Sequence, residues 1–453
     1  MKRTSLYRRL TAAMLLLALC LSACGGEPAQ NLTDTTSEST AAVPGSSVEP
    51  GGETTSAGHT APAAPDETDK PAGQTEPAEP SAAPEYTSDA AGKIASVSVG
   101  TPEEWNRFAR DFNAERDRFA ESLDVFIETQ LSFAGTAFVA LTETFSGRIH
   151  GPEREKENVF EKLSANITAE PEPDSGAGFR HIYAIEGSLS LFGDTAGDLT
   201  LENLDFLDID YSLRIENSVY GASSPGILCY EAQSIALENV VFSECRLGRK
   251  YTDGKEKQPN YLLASYITQS LKLNQTLVRQ CNSESENDYG GLLFVVTSGR
   301  VMLSEVYVVE CAAKRNAVLA GSIRGRAFFR EIGIYGCKLY TDLHRPAVLF
   351  EHADDIGALR DITVENSLFT RKITGAEAAG WKDSYGVLFF EEDKFRTKLA
   401  AENVTFVHSA FSAGEKAFDQ CSIPGILIKD CYTVPDDRLD QSYAEWPHGQ
   451  ISD

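Results

Sequence analysis

The chain repeats itself, and that self-similarity limits its fold more than any other feature. Residues 233–245 read QSIALENVVFSEC. The same frame returns as GDLTLENLDFLDI from Gly197, QSLKLNQTLVRQC from Gln269, GRVMLSEVYVVEC from Gly299 and GRAFFREIGIYGC from Gly325. Weaker copies are GALRDITVENS from Gly357, LAAENVTFVHS from Leu399 and the fragment ILIKDCYTV from Ile426. Each copy has a small or polar start, an apolar residue, a polar or Asn-like turn and two apolar positions spaced by two. Cys, Ser or Ile closes the copy. A period of roughly 26 to 36 residues predicts a solenoid, in which each copy buries its apolar side only against its neighbours.

A second strand precedes each copy: GILCYEA from Gly226, YLLASYI from Tyr261, GLLFVVT from Gly291, AVLAGSI from Ala317, AVLFEHA from Ala347 and GVLFFEE from Gly386. Each unit is therefore expected to hold three short strands, around the ILC, IAL and VVF positions. Short continuous apolar runs fit parallel strands buried on their inner face. Asn203, Asn239, Asp361, Asn403 and Asp430 are placed at one tight bend, with Gln275 standing in. Asn and Asp tolerate the left-handed backbone such a bend needs and can hydrogen-bond along a stack.

The two ends of the chain differ from the repeats. Residues 1–23, MKRTSLYRRLTAAMLLLALCLSA, have a basic start and an apolar run too short to span a bilayer comfortably, which is the form of an export signal. Leu21-Ser22-Ala23-Cys24 resembles the lipobox of bacterial lipoproteins, which implies cleavage before Cys24 and acylation of its thiol. Residues 24–92 are Thr, Ser, Ala, Pro, Gly and Glu with almost no bulky apolar side chain, and are expected to form a disordered tether. Order is expected from Lys93, with a strand at 93–99. Thr101-Pro102-Glu103-Glu104 then reads as a helix start with a capping box. Trp105, Phe108, Ala109, Phe112 and Phe119 mark an apolar face through about Ala120, expected to close the open end of the solenoid. Residues 435–453 form a polar tail.

A formal charge of -26 argues against nucleic acid and against an electrostatic grip on anionic lipid. Seven of the nine cysteines follow Cys24, and Cys245, Cys281, Cys311 and Cys337 share one repeat position. Neighbouring copies about 4.8 Å apart permit disulfides in principle. The favoured reading is a ladder of small buried thiols. No CxxC or paired-His pattern suggests zinc, and no cofactor is implied.

The repeats resemble the right-handed parallel β-helix of the pectin-lyase-like superfamily, an all-β fold, over residues 93–434. Phe145-Ser146-Gly147-Arg148-Ile149-His150-Gly151, after the Thr-x-Glu-Glu helix, resembles the leading segment of bacterial surface β-helix proteins with GLUG-type segments. Leu191-Phe192-Gly193 ahead of Leu201-Glu202-Asn203-Leu204 continues that likeness. The resemblance implies about nine or ten coils and a rod near 45 Å long at ~4.8 Å per coil.

Chemistry is sparse. Of the polygalacturonase-like set NxD, DD, GHG and RxK on successive coils, Asp354-Asp355 supplies DD, which is expected to form a turn, and no GHG follows it. Asp208 and Asp210 are calcium-ligand types, but no aligned carboxylate cluster joins them. There is no GxSxG, P-loop or GxGxxG frame. What varies is spacer length between the Cys position and the next ILC-like strand, at 246–260, 282–290, 338–346 and 370–385. Insertions gathered on one face are the usual binding surface of repeat proteins. Tyr251, Tyr289, His344, Arg345, Trp381 and Tyr385 in these spacers are suited to stacking on sugar rings and bonding hydroxyls.

The expectation is a lipid-anchored protein on the outer face of the cell membrane. Its loop-bearing face would bind a polysaccharide or other surface component without catalysis. A diverged polysaccharide lyase or hydrolase and a structural envelope spacer are the alternatives.

Overall fold

Leu201, Leu237, Leu273, Leu303, Phe329 and Leu359 hold the same place in successive copies, and the strands that carry them pair side by side in that order. The computed structural model of the protein describes residues 83–154, 176–210, 226–247, 261–283, 291–314, 318–341, 348–371, 400–411 and 425–433. These residues are largely β, with one α-helix. A 15-stranded sheet runs through Ile94–Val99, Phe119–Ile127, Phe145–His150, Thr195–Leu207, Glu231–Ser243, Ala264–Arg279, Arg300–Val309, Ala320–Tyr335, Phe350–Glu365, Ala401–Val407 and Ile426–Lys429. All its pairings are parallel except at the start, where Glu85–Ser88 runs antiparallel to Ile94–Val99. That first strand puts the start of order ahead of Lys93. EYTS is too short and polar to stand out in sequence, and tertiary contacts secure it. The Tyr86 ring lies 6.1 Å from Phe119, and its hydroxyl donates to Asp111 at 2.9 Å.

The division of each copy into three strands needs correction. The IAL and VVF pieces are one strand of 13 residues in Glu231–Ser243 and 16 in Ala264–Arg279. The ILC piece is a separate strand only in Phe294–Thr297. Elsewhere its end runs into the long strand, at Ala264, Ala320 and Phe350, and its first residues lie outside yet are bonded between copies: Ile227 N–H donates to Tyr261 O at 2.8 Å, and Leu262 N–H to Leu292 O at 2.9 Å. A third piece was not visible in the sequence. Arg246–Leu247, Asn282–Ser283, Ala312–Lys314, Lys338–Thr341, Leu368–Arg371, Ala410–Phe411 and Tyr432–Thr433 form a second, parallel, 7-stranded sheet. Two to four residues carry too little alternation to read as a strand. The strand expected from Gly386 lies outside the described residues.

Two columns of left-handed residues bend the chain. Asn203, Asn239, Gln275, Glu305, Glu331, Asp361 and Asn403 form the first, with φ between 49 and 56°. Their side chains bond along the column: Asn239 Nδ2 to Asn203 Oδ1 at 2.9 Å, Gln275 Nε2 to Glu305 Oε2 at 3.1 Å, and Asn403 Nδ2 to Asp361 Oδ1 at 2.9 Å. Asp430 belongs instead to the second column, with His181, Asp208, Glu244, Gln280, Glu310, Asn366 and His408. Glu305 and Glu331 were not legible as bend residues because Glu gains nothing locally from φ > 0. Register forces them there at about 1 kcal/mol each. Glu331→Asn is therefore expected to stabilise the protein by about 1 kcal/mol, read as a higher urea midpoint. A lower midpoint would contradict this account of the bend.

Inward-facing Leu237, Val240, Phe242 and Cys245 are buried, as are their counterparts as far as Phe350–Glu365, while Ala401, Ile426, Ile428 and Cys431 in the last copies are half-buried. Rings of Phe179, Phe206 and Phe242 stack at 5.5 and 5.0 Å. The six described cysteines are free. The closing Cys or Ser has a local reason. Cys281, Cys311 and Cys337 Sγ donate to the carbonyl two residues back at 3.4, 3.4 and 3.5 Å. Ser367 and Ser409 Oγ repeat that bond at 2.9 and 3.0 Å. Burial pushes the Cys281 and Cys337 thiols up, which keeps them protonated and able to donate.

The helix Pro102–Ala114 has the expected capping box: Glu104 N–H donates to Thr101 Oγ1 at 3.2 Å, and Thr101 N–H to Glu104 Oε2 at 3.1 Å. It stops at Ala114, short of Ala120, and Phe119 opens the next strand. Residues 115–118 add no apolar side chain to the stripe, and the Arg116 guanidinium binds the Phe119 and Ala120 carbonyls at 3.2 and 2.9 Å. Trp105, Phe108, Ala109 and Phe112 are buried against Phe119, Phe138, Phe145, Phe179 and Phe192. Asn106 and Asn113 tie the helix to the following chain through Ala137 O and Ala140 O at 2.9 and 2.8 Å. No described helix is long and apolar enough to cross a membrane.

Candidate functional site

Period-two alternation buries Val97, Val99, Val125 and Ile149 and turns Ser96, Ser98, Asp124, Phe126, Arg148 and His150 outward. Parallel register then aligns Ser96 with Asp124 and Arg148, and Ser98 with Phe126 and His150. Glu85 and Thr87 come alongside from the antiparallel edge strand, opposite Ser98 and Ser96. The result is a groove of about 460 Å³ lined by Glu85, Thr87, Ser96, Val97, Ser98, Asp124, Phe126 and His150.

His150 anchors the floor. Its Nδ1 lies 3.1 Å from Gly151 O, and because a carbonyl only accepts, Nδ1 is the donor. Nε2 is buried without a hydrogen bond, 3.5 Å from Asp124 Oδ1. The imidazole lies 5.1 Å from the Phe126 ring. Arg148 Nε bonds Glu202 Oε2 at 2.8 Å and its Nη1 lies 3.8 Å from Asp124, so it balances both carboxylates. Ser98 donates to Glu128. Hydroxyls, carboxylates and one half-buried ring suit a polyol, which offers donors, acceptors and a C–H face. Sequence reasoning missed this groove because its members are joined only by register. In sequence His150 stands out only within the segment 145–151 that resembles surface β-helix proteins, and residues Phe145–His150 are strand.

A second polar group sits at the other bend. Asp208 Oδ2 accepts from Tyr183 OH at 2.5 Å and lies 2.9 Å from His181 Nδ1. That bond to Asp208 holds the Tyr183 phenol up at about 12. Asp210 pairs with Arg246 at 3.3 Å. Asp208 and Asp210 are thus committed to different partners. Among the described residues no group of three or more His, Cys, Asp or Glu is disposed to hold a metal ion. Asp354 and Asp355 lie within the strand Phe350–Glu365 rather than in a turn, paired with His352 at 3.0 Å and Arg326 at 3.3 Å. A register slip there accommodates the extra residue.

Tyr251, Tyr289, His344, Arg345, Trp381 and Tyr385, and the lipidation candidate Cys24, lie outside the described residues. The departure ends of the spacers that carry the first six are described. Those spacers leave from the 7-stranded sheet, whose members pair in sequence order. They return, where the chain is described, at Tyr261, Gly291 and Val348, in segments that also bond copy to copy. Departure points therefore share one edge and return points another. The residues 246–247, 282–283, 338–341 and 370–371, expected within the spacers, are strand.

No known protein family matches the chain. No curated protein matches it either.

Proposed function

We propose that the protein is a lipid-anchored extracellular binding protein, built as a right-handed parallel β-helix, that holds a glycan or other surface component without turning it over. The observation that carries this reading is the shared edge from which the spacers depart. Strands Arg246–Leu247 through Tyr432–Thr433 pair in register, so variable segments rich in Tyr, Trp, Arg and Asp start from adjacent points. Such a surface gains contact area through length variation while the strands hold its spacing. The groove around Phe126 and His150 supports the same chemistry, since it pairs hydroxyl-bonding groups with an aromatic ring. Parallel order in both sheets supports the β-helix, and the residues before Cys24 support export and acylation. The pectin-lyase-like likeness is a likeness of fold, and fold alone does not assign a reaction.

A glycan array probed with the full chain tests this, together with assays for reducing ends and unsaturated products. Selective retention without turnover is expected, reduced at least about tenfold by Trp381→Ala with Tyr251→Ala, the loss usual for an aromatic anchor. Turnover of any retained glycan would overturn the non-catalytic reading, and retention untouched by the double variant would remove the loop edge.

A further inference from the structure

The outward face of the long sheet changes sign along its length. Its earlier strands carry Asp124, Glu202 and Glu238 against Arg148, and its later ones carry Lys272, Arg300, Arg324, Arg326, Arg330 and Arg360 against Asp354, Asp355 and Glu402. These six cations are all exposed. The whole chain has 67 acidic residues against 41 basic ones, so the cluster runs against composition.

Register arranges the cluster. Arg300 and Arg326 precede the aligned pair Val301 and Ala327, Met302 aligns with Phe328, and Arg330 aligns with Arg360. Two rows of guanidinium groups thus flank an apolar row of Met302 and Phe328, about 7 Å apart from two residues' rise along a strand. The Arg300 and Arg326 guanidiniums lie 5.0 and 5.2 Å from the centroid of the Phe328 ring. That ring is seated over Gly357, where a Cβ would stand 2.4 Å from Phe328 Cε1. Cation–π contact from a seated ring holds two arginines in place.

The carboxylates facing this patch are few. Asp355 lies 3.3 Å from Arg326, Glu402 3.3 Å from Arg360, and Glu331 2.5 Å from Arg330, while Asp354 faces His352. Exposed pairs of this kind are weak and displaceable. Lys272 and Arg300 have no carboxylate partner among the described residues.

We propose that this face binds a glycan carrying sulfate or phosphate esters. An ester oxyanion presents three free oxygens, enough to accept from two guanidinium forks at once, and Arg300 and Arg326 are poised over one ring to supply them. Met302, 37% exposed, and the half-buried Phe328 offer an apolar strip to the C–H face of a sugar. Adjacent strands lie about 4.8 Å apart, close to the rise of one pyranose unit, so successive esters meet successive strands. A single ring is a poor match for a nucleic acid strand, which needs a series of stacking platforms.

The test is binding of the full chain to dextran sulfate at low salt, against unsulfated dextran, polygalacturonate and a single-stranded oligonucleotide. Dextran sulfate is expected to bind, to weaken with added salt, and to lose at least about tenfold in affinity on R300Q/R326Q, as two charge-assisted bonds are removed. R330Q/R360Q is expected to weaken it too, with the unfolding midpoint unchanged, and carries the test alone should the first variant not fold. Affinity unmoved by either pair overturns the proposal. Equal affinity for polygalacturonate or the oligonucleotide also overturns it, since bulk charge would then suffice. The loop edge is tested by different variants, so either reading can fail with the other intact.

Discussion

Trp105→Ala is expected to destabilise the protein by about 3–5 kcal/mol, the range for emptying a buried aromatic site. Trp105 is fully buried at the centre of an aromatic cluster, with Phe108, Phe138, Phe179 and Phe192 within 4.9 to 6.2 Å. These rings come from distant parts of the chain, so the site cannot close by a local shift. The indole Nε1 also donates to Val139 O at 3.1 Å, and its loss leaves that carbonyl short of a donor. Urea unfolding should show a lower midpoint, and hydrogen exchange should quicken in Ile94–Val99 and Phe119–Ile127, where the helix packs. Met302→Ala, at an exposed position, is the reference and should change stability by less than about 0.5 kcal/mol. If both variants unfolded alike, the helix would not be packed as described.

Gly299→Ala is expected to cost about 3 kcal/mol, at the upper end of the range for overpacking, and so to lower the urea midpoint markedly. A Cβ at Gly299 would stand 1.3 Å from the carbonyl oxygen of Gln269, and one at Gly325 1.9 Å from that of Gly299. Both obstacles are backbone, so no rotamer change relieves them and the strands themselves must part. The small residue that starts these two copies is thus a steric requirement of strand approach. A fully stable Gly299→Ala protein would mean that Gln269, Gly299 and Gly325 are not stacked.

Much of this architecture was legible in the sequence, because repeated residues meet repeated environments. Leu201, Leu237, Leu273 and Leu303 could be aligned by eye, and they pair in that order. Asn203 and Asn239 announced their bend, since Asn is a residue that adopts φ > 0 readily. Thr101 and Glu104 announced the helix start through a bond pattern confined to four residues.

Glu305 and Glu331 gave no such notice, because neighbouring strands impose their conformation. The two-residue strands of the second sheet were equally silent. Neither surface cluster could be read locally: the groove joins Glu85, Asp124 and His150, and the arginine face joins Arg300, Arg326 and Phe328. The sequence by itself determined the repeat, its inward apolar positions and the helix start, since each depends on residues close in the chain. Only the tertiary structure decided which outward side chains become neighbours. Parallel register carries a side chain across a strand gap of about 4.8 Å to one that is 24 to 30 residues away in sequence, and no local pattern encodes that partner.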